Sequence, residues 1–230
     1  MKELIENSVF FGVLITLGTY WIGMLLKKRF KSALVNPLLI SIVLITIFLL
    51  VFNVDYSTYE HGASCITYLL TPATVCLALP LYQQYEVLKK NYKALMLGIT
   101  AGVLSSLGCI LAMAAIFAFN HDIYVTLLPK SITTAIGIGI SKELGGYVPI
   151  TVASIVITGV LGNIFAEHIL KMFRITEPIA KGIAIGTSAH AMGTAKAMEI
   201  GAVEGAMSSL SIVVAGIMTV AGASIFAQMW

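Results

Sequence analysis

The stretch of sequence that decides the fold is residues 94–119, ALMLGITAGVLSSLGCILAMAAIFAF, which contains no charged side chain. A transmembrane α-helix needs about 20 consecutive apolar residues, and this stretch is longer than that. Four further runs along the chain have the same character: 8–26, 37–54, 149–170 and 203–227. We therefore expect five helices that cross a lipid bilayer.

The composition of the whole chain agrees with a membrane protein. Of its 230 residues, 58% are hydrophobic and only 11% are charged, and the mean hydropathy is +0.95. At about 20 residues per crossing, the chain has room for about seven to eight transmembrane or re-entrant segments and for no separate soluble domain. The sequence thus predicts an all-α integral membrane protein with one membrane domain over residues 1–230.

Charge and cysteine content argue against several other classes. The net charge of +3 is small, and the basic residues lie in loops beside apolar runs rather than in a patch with aromatic residues, which argues against nucleic acid as a partner. Cys65, Cys76 and Cys109 have no C-x-x-C spacing, so they predict neither a metal site nor a disulfide, and we interpret them as small packing residues. The run GTSAH at 186–190 lacks the second glycine of a G-x-S-x-G nucleophile motif. We expect no enzyme and no cofactor.

Basic residues in the loops predict the orientation of the helices, because cytoplasmic loops carry an excess of Lys and Arg. The loops at 27–31, 89–93 and 171–181 are basic and are placed inside, whereas the loop at 53–61 is acidic and is placed outside. If residues 123–140 spanned the bilayer, the basic loop at 171–181 would face outward. We therefore expect that segment to be re-entrant or to span incompletely, and the N-terminus to lie outside.

Three further segments are apolar but are interrupted by proline or glycine. They are 63–81, with Pro72 and Pro80; 123–140, with Pro129; and 179–197, with Gly182, Gly186 and Gly193. A broken helix at membrane depth is tolerated only where protein buries it or where it lines a wet cavity. We expect the broken helices to meet near the membrane midplane and to form the functional site.

A weak internal repeat accompanies these breaks. Asn36-Pro37 aligns with Val148-Pro149 and Ile45-Thr46 with Ile157-Thr158 at a constant offset, and TPAT at 71–74 aligns with TSAH at 187–190 after a small shift. The charge assignment runs the paired helices in opposite directions, which is the inverted-repeat plan of secondary transporters. We expect two inverted repeats, roughly 8–119 and 123–229, although a similarity this short also arises by chance.

The richest polar cluster is the third break, GIAIGTSAHAMGTAK at residues 182–196. We expect it to expose the amino-terminal end of a half-helix, whose partial positive charge and free N–H groups suit a carboxylate. The hydroxyls of Thr187, Ser188 and Thr194 would add neutral donors. The alternative for the first two glycines of this run is that they only let two helices approach closely.

His190 is the one histidine that these assignments place deep in the membrane. An imidazole exchanges protons near physiological pH, which suits coupling of transport to protons. A buried histidine is also often only a hydrogen-bonding residue, so both interpretations stay open.

Two smaller polar clusters belong to the other breaks. The run LPKSITT at 128–134 sets one cation and three hydroxyls behind a proline. Lys130 there either pairs with an anion or extends to a nearby interface. Thr71 and Thr74 flank a proline and either supply hydroxyls or mark only a kink. The candidate substrate-binding residues are Thr71, Thr74, Lys130, Ser131, Thr133, Thr134, Thr187, Ser188, His190 and Thr194.

At these motifs the sequence resembles the LrgB/CidB family of antiholin-like and holin-like membrane proteins. The matching stretches are Asn36-Pro37, TPATVCLALPLY at 71–82, LPKSITT at 128–134 and GTSAHAMGTA at 186–195. The resemblance covers nearly the whole chain. It extends to the LrgB-like part of the plastid glycolate and glycerate translocators, in which LrgA-like and LrgB-like parts are fused.

This resemblance implies two different functions. Some similar proteins are described as modulators of murein hydrolase activity and autolysis that act with a small LrgA/CidA-like partner, and others resemble transporters of small monocarboxylates. We expect a proton-coupled transporter of pyruvate, glycolate or a similar acid, with modulation of autolysis as the alternative. Because only the LrgB-like part is present, a separate LrgA/CidA-like membrane partner is implied. We also expect a multi-pass location in the bacterial cell (inner) membrane and a homo-oligomer.

Overall fold

The computed structural model describes residues 10–30, 35–76 and 78–230, apart from the side chains of Leu70, Thr71 and Thr74. Every regular element in these ranges is an α-helix, as the sequence predicts. The chain divides into two compact units, 1–76 and 77–230. Ser8 and Lys31, which take part in predictions above, lie outside the described residues.

The first unit contains the helix start predicted at Asn36-Pro37. The Asn36 side-chain oxygen accepts hydrogen bonds from the backbone N–H groups of Leu38 (2.9 Å) and Leu39 (3.3 Å), and such bonds satisfy the free donors of a helix start. Pro37 is the first helical residue, where its missing N–H costs nothing. The helices of this unit are α1 Phe11–Phe30, α2 Pro37–Val51, α3 Tyr56–Gly62, α4 Ser64–Tyr68 and α5 Leu70–Cys76.

Small and hydroxyl residues bring α1 close to α2. A Cβ added to Gly23 would lie 2.8 Å from backbone atoms of Pro37, so the two backbones touch at the start of α2. The hydroxyls of Thr19 and Ser41 are 2.8 Å apart and share a hydrogen bond. Contacts of this kind are typical of helices that associate within a bilayer, where water does not drive them together.

The second unit carries the longer helices. They are α6 Ala78–Gln83, α7 Tyr85–Lys90, α8 Tyr92–Phe117, α9 His121–Leu127, α10 Thr134–Glu143, α11 Val148–Met172, α12 Pro178–Ile200 and α13 Ala202–Ala227. Helix α13 packs against α8 and α12, and α11 packs against α12. The largest buried apolar side chains of the core include Leu95, Ile99, Leu107, Tyr124 and Met207.

Three of the five predicted spans are confirmed by length and composition, because α8, α11 and α13 are long and apolar enough to cross a membrane. Helix α2 is apolar but has 15 residues, which at about 1.5 Å per residue is shorter than the roughly 30 Å hydrocarbon core. Helix α1 has 20 residues but ends in the basic cluster Lys27, Lys28 and Arg29. Crossing by α1 and α2, the number of segments and the inverted repeat stay predictions.

All three segments that were predicted to be interrupted are broken. In the first segment, residues 64–76 form two short helices, α4 and α5, with a turn at Leu69 between them, and α6 begins at Ala78. Between α9 and α10 the chain is non-helical from Leu128 to Thr133, and these two helices, of 7 and 10 residues, are each too short to cross a bilayer. Helix α12 is interrupted at His190, which has φ 41° and ψ −137°. The break in α12 therefore does not fall on a glycine.

The interpretation of the cysteines as packing residues is wrong. Cys65, Cys76 and Cys109 are all exposed on the surface of the chain. A helix that is apolar all round has no hydrophobic periodicity that separates its inner from its outer face. The apolar surroundings of Cys109 in α8 therefore did not reveal that it points outward.

Candidate functional site

The break in α12 is built around His190. A positive φ is unfavourable for a residue with a Cβ, so the surrounding contacts must hold this conformation. The side chain of His190 is buried, and its Nε2 atom lies 3.1 Å from the carbonyl oxygen of Ile155 on α11. Because a carbonyl oxygen only accepts, Nε2 carries the proton of this bond. Gly159 leaves room for the ring, since a Cβ there would lie 2.7 Å from Nε2.

The amino-terminal helix end predicted at Thr187 and Ser188 is wrong. Both residues lie in the last turn before the break, and their hydroxyls donate to the carbonyl oxygens of Ile183 (2.8 Å) and Ala184 (2.7 Å) in the preceding turn. A helix end on this side carries a partial negative charge, which repels a carboxylate. The amino-terminal end of the second half-helix follows His190 instead, because His190 is the residue that leaves the helical conformation.

The first two glycines of the break serve close packing, which was the alternative interpretation. A Cβ at Gly182 would lie 2.6 Å from the carbonyl oxygen of Glu204, and a Cβ at Gly186 would lie 2.5 Å from that of Ser208. Both carbonyl groups belong to α13, so α12 and α13 touch backbone to backbone, as small residues allow in membrane bundles. These glycines are therefore not the origin of the break.

Thr194 lies in the same interface of α12 with α13. Its buried hydroxyl lies 3.0 Å from the carbonyl oxygen of His190 and 2.7 Å from the Ser208 hydroxyl. A hydroxyl has one proton, so Thr194 donates to the carbonyl group and accepts from Ser208. The bond to Ser208 fixes the second half of α12 to α13 just after the break, while the bond to His190 stays within α12.

A cavity of about 480 Å³ opens between α8, α11, α12 and the link 128–133. We call it the Lys130 cavity. Its polar lining consists of one lysine and six hydroxyl residues: Lys130, Ser105, Ser106, Ser131, Thr158, Thr187 and Ser188. Its apolar wall is formed by Gly102, Leu161, Gly162, Phe165 and Ile169. A few polar groups on an apolar wall are typical of sites for small molecules.

Lys130 brings an uncompensated charge to this cavity. No ion pair among the described residues includes Lys130. Its Nζ donates to Ser131 Oγ at 3.1 Å, and Ser131 Oγ lies 3.0 Å from Ser106 Oγ on α8. Charges removed from water are normally paired, so the half-buried ammonium group favours an anion as the occupant of the cavity.

Buried hydroxyl groups hold the link that carries Lys130. The Thr151 hydroxyl of α11 lies 2.9 Å from the Thr126 carbonyl oxygen and 2.8 Å from Ser141 Oγ. The backbone N–H of Tyr147 donates to Thr126 Oγ1 at 2.8 Å. Thr126 belongs to α9 and Ser141 to α10, so the helices on both sides of the link are fixed to α11. A polar network whose members are all satisfied makes such a region rigid.

The structure brings together four of the ten predicted site residues. Lys130, Ser131, Thr187 and Ser188 line the Lys130 cavity. His190 and Thr194 lie behind it, in the contacts of α12 with α11 and α13, while Thr133 and Thr134 are the half-buried N-cap and first residue of α10. Thr71 and Thr74 belong to α5, and their side chains lie outside the described residues.

Three polar residues of the cavity were not predicted: Ser105, Ser106 and Thr158. They lie in the unbroken helices α8 and α11, whose hydropathy marks them only as spans. A signal for them exists, because polar groups within an apolar span tend to face the bundle interior or a cavity. This signal does not distinguish cavity residues from other hydroxyl residues of the same helices. Ser154 of α11, for example, has the same chemistry but bonds to the Thr151 carbonyl group of its own helix.

Ion pairs fasten α12 to its neighbours near both of its ends. Lys196 Nζ lies 2.6 Å from Glu167 Oε1 on α11 and 3.1 Å from Glu199 Oε2. Lys181 pairs with Glu204 of α13 at 3.9 Å. Within the described ranges, no three His, Cys, Asp or Glu side chains come together as metal ligands. The charges of α12 are thus balanced by carboxylates, in contrast to the charge of Lys130.

These features define a class: a helical membrane protein with broken helices and a lysine-containing cavity inside one of its units. A sequence model of the LrgB-like family matches residues 16–229. Because the match covers nearly the whole chain, the chain belongs to the LrgB-like family, and the resemblance seen in the motifs is confirmed. No solved structure matches the chain.

Proposed function

We propose that this protein transports small monocarboxylates, such as pyruvate or glycolate, across the bacterial cell membrane. The observation that carries the proposal is Lys130, which has no carboxylate partner among the described residues and lies in a cavity lined by hydroxyl groups. A transporter needs a polar binding place inside its bundle. A protein that only assembles into holes needs amphipathic helices, and a half-buried lysine among hydroxyls would serve no purpose there.

The cavity suits a carboxylate of two or three carbon atoms. A lysine at the centre of a bilayer costs about 2.5–3.5 kcal/mol on insertion scales, and a bound anion offsets part of that cost. The hydroxyls of Ser106, Ser131 and Thr158 are neutral donors within the same cavity. Its volume of about 480 Å³ lies in the range of small-molecule sites, roughly 300–1,000 Å³, so the acid would enter with part of its water.

Proton coupling is part of the proposal. A carboxylate that enters alone moves negative charge against an inside-negative potential, at a cost of about 2.3 kcal/mol per 100 mV. His190 is the candidate for the accompanying proton, because its Nε2 holds a proton in the bond to Ile155 and the other ring nitrogen, which bonds to none of the described residues, can accept a second one. A break that moves during alternating access would expose this group to each side in turn.

An LrgA/CidA-like partner, assembly as a homo-oligomer and the absence of any catalytic step also belong to the proposal. The second candidate function is modulation of murein hydrolase activity and autolysis without transport. Membership of the LrgB-like family favours this alternative as much as transport. The unpaired Lys130 distinguishes the two, because a pure modulator does not require an anion site.

The test is uptake into proteoliposomes of radiolabelled pyruvate, glycolate and lactate. The full chain is reconstituted with and without its LrgA/CidA-like partner, with an imposed pH gradient. We expect saturable uptake of at least one of these acids that the Lys130→Met variant loses. Absence of uptake of all three acids in both preparations, with the protein correctly inserted, would contradict transport and leave the autolysis role.

A further inference from the structure

Three cavities follow one another along the interface of α8 and α12. The first is the Lys130 cavity. A second cavity of about 560 Å³ shares the wall residues Gly102 and Thr187 with it. A third of about 760 Å³ shares Asn91, Glu177 and Ile179 with the second and reaches the end of α7, which carries Lys89 and Lys90. Shared wall residues make the three cavities neighbours in a row.

Two glycines bring α8 close to α12 along this row. A Cβ added to Gly98 would lie 3.3 Å from two side-chain carbons of Ile183. A Cβ added to Gly102 would lie 2.8 Å from Thr187 Oγ1 and 3.0 Å from Thr187 Cβ. Gly102 and Thr187 are thus in contact where the first and second cavities meet, so this junction is the constriction between the two cavities, and a side chain at 102 would close it further.

The two ends of the row carry basic residues. Lys130 lies at one end and Lys89 and Lys90 at the other, where Glu86 and Glu177 also line the cavity. The excess of basic residues at 89–93 predicts that this end faces the cytoplasm. The middle cavity is lined mostly by apolar and small residues, such as Ala94 and Ala184, together with Glu177, so its described lining has no cationic group that would hold an anion as a second binding place.

We propose that this row of cavities is the route between the Lys130 cavity and the cytoplasm, and that the Gly102–Thr187 junction sets the size of the acid that passes. The inference rests on the proposed transport function, and it adds the route and a size-determining position. It makes a claim about water access that is measured without any substrate.

The first experiment measures this access by cysteine modification. In the full chain with Cys65, Cys76 and Cys109 replaced by alanine, Ala94→Cys and Ala184→Cys place a thiol in the middle cavity. Leu97→Cys is the matched control, because it is 72% exposed on α8 and lines none of the three cavities. The reagent is the anionic 2-sulfonatoethyl methanethiosulfonate, applied to inside-out membrane vesicles.

We expect both cavity thiols to react about tenfold or more faster than the Leu97→Cys thiol, which corresponds to about 1.4 kcal/mol of barrier. Equal, slow reaction of all three thiols, with normal labelling of the cavity thiols by membrane-permeant N-ethylmaleimide, would mean that lipid or protein fills the groove. That result would overturn the route and leave the transport proposal to its own uptake test.

The second experiment tests the junction. Gly102→Ala adds a methyl group at the junction, and Gly108→Ala is the matched control on the same helix, because a Cβ there meets no atom within 4 Å. We expect Gly102→Ala to reduce pyruvate uptake about tenfold relative to glycolate uptake, while Gly108→Ala keeps the wild-type ratio. An unchanged ratio in a folded Gly102→Ala protein would overturn the role of the junction. If Gly102→Ala does not fold, the cysteine experiment still decides on the route.

Discussion

The Nε2 atom of His190 lies 3.1 Å from the carbonyl oxygen of Ile155, and this hydrogen bond joins the break in α12 to the middle of α11. The backbone of His190 has φ 41° and ψ −137°, a conformation that glycine adopts far more easily than histidine. A strained conformation at a residue with a side chain is often tied to function. The imidazole is therefore the part of this residue that the break depends on.

The first prediction concerns the proton. His190→Gln keeps a hydrogen-bond donor for the Ile155 carbonyl group but does not titrate. We expect it to bind substrate normally and to lose the stimulation of uptake by an inward pH gradient, measured in liposomes. His190→Gly is the companion variant, because it relaxes the backbone and removes the bond, and it should lower uptake with and without the gradient. Full gradient-driven uptake by His190→Gln would leave the imidazole a purely structural role.

The second prediction concerns the anion site. Lys130→Met removes the charge and keeps most of the apolar stem, so affinity should fall by about 1.5–3 kcal/mol, or roughly ten- to a hundredfold. Equilibrium binding of labelled pyruvate to the purified protein measures this loss. Lys142→Met, at an exposed position near the end of α10, is the control and should bind like the wild type. If Lys130→Met bound pyruvate as tightly as Lys142→Met, Lys130 would not contact the substrate, and its side chain would be assigned to the membrane interface instead.

The third prediction concerns the contact of α12 with α13. A methyl group on Gly186 would lie 2.5 Å from the Ser208 carbonyl oxygen, and overpacking of this kind costs about 1–3 kcal/mol. Gly186→Ala should therefore lower the thermal midpoint of the protein in detergent. Gly108→Ala has open space around the new methyl group and should leave the midpoint unchanged or raise it slightly, because alanine favours helix. A Gly186→Ala protein as stable as Gly108→Ala would contradict the backbone contact.

The fourth prediction concerns topology. The Lys171 side chain is 81% exposed in the last turn of α11, at the start of the basic region 171–181 that is placed inside by its charge. A cysteine at this position should react with a membrane-impermeant maleimide in inside-out vesicles and not in intact cells. Ser57→Cys, in α3 within the acidic region 53–61, should show the opposite pattern and serves as the control. Reaction of Lys171→Cys from outside intact cells would refute the charge assignment together with the inverted repeat.

Local signals in the sequence predicted the start of α2 and the segment in which α12 is broken. They did not identify the residue at the break. Asn36-Pro37 caps α2 by side-chain chemistry that needs no tertiary partner. In α12 the three glycines suggested the break, whereas His190 forms it. That choice depends on the Ile155 carbonyl group and on the space above Gly159, which come near His190 only in the folded protein.

Only part of the candidate site could be predicted, because some of its residues come together only in the folded protein. Lys130 and Ser131 stand out because a cation and hydroxyls are rare in an apolar segment. Ser106, which completes the chain of hydrogen bonds to Lys130, lies in a helix that is apolar on all sides. Such a helix gives no period from which its inner face can be read, so only the fold identifies Ser106.

The backbone contact between α12 and α13 also bears on how the chain enters the membrane during synthesis. Helix α12 carries Lys181, His190, Lys196 and Glu199 and is not one of the helices apolar enough to span by composition. Each basic residue makes insertion of an isolated helix unfavourable by about 2.5–3.5 kcal/mol at the bilayer centre. Helix α13 follows after the single residue Gly201 and is strongly apolar. We expect the translocon to release α12 into lipid only together with α13, as a preformed hairpin whose glycine contacts are already made.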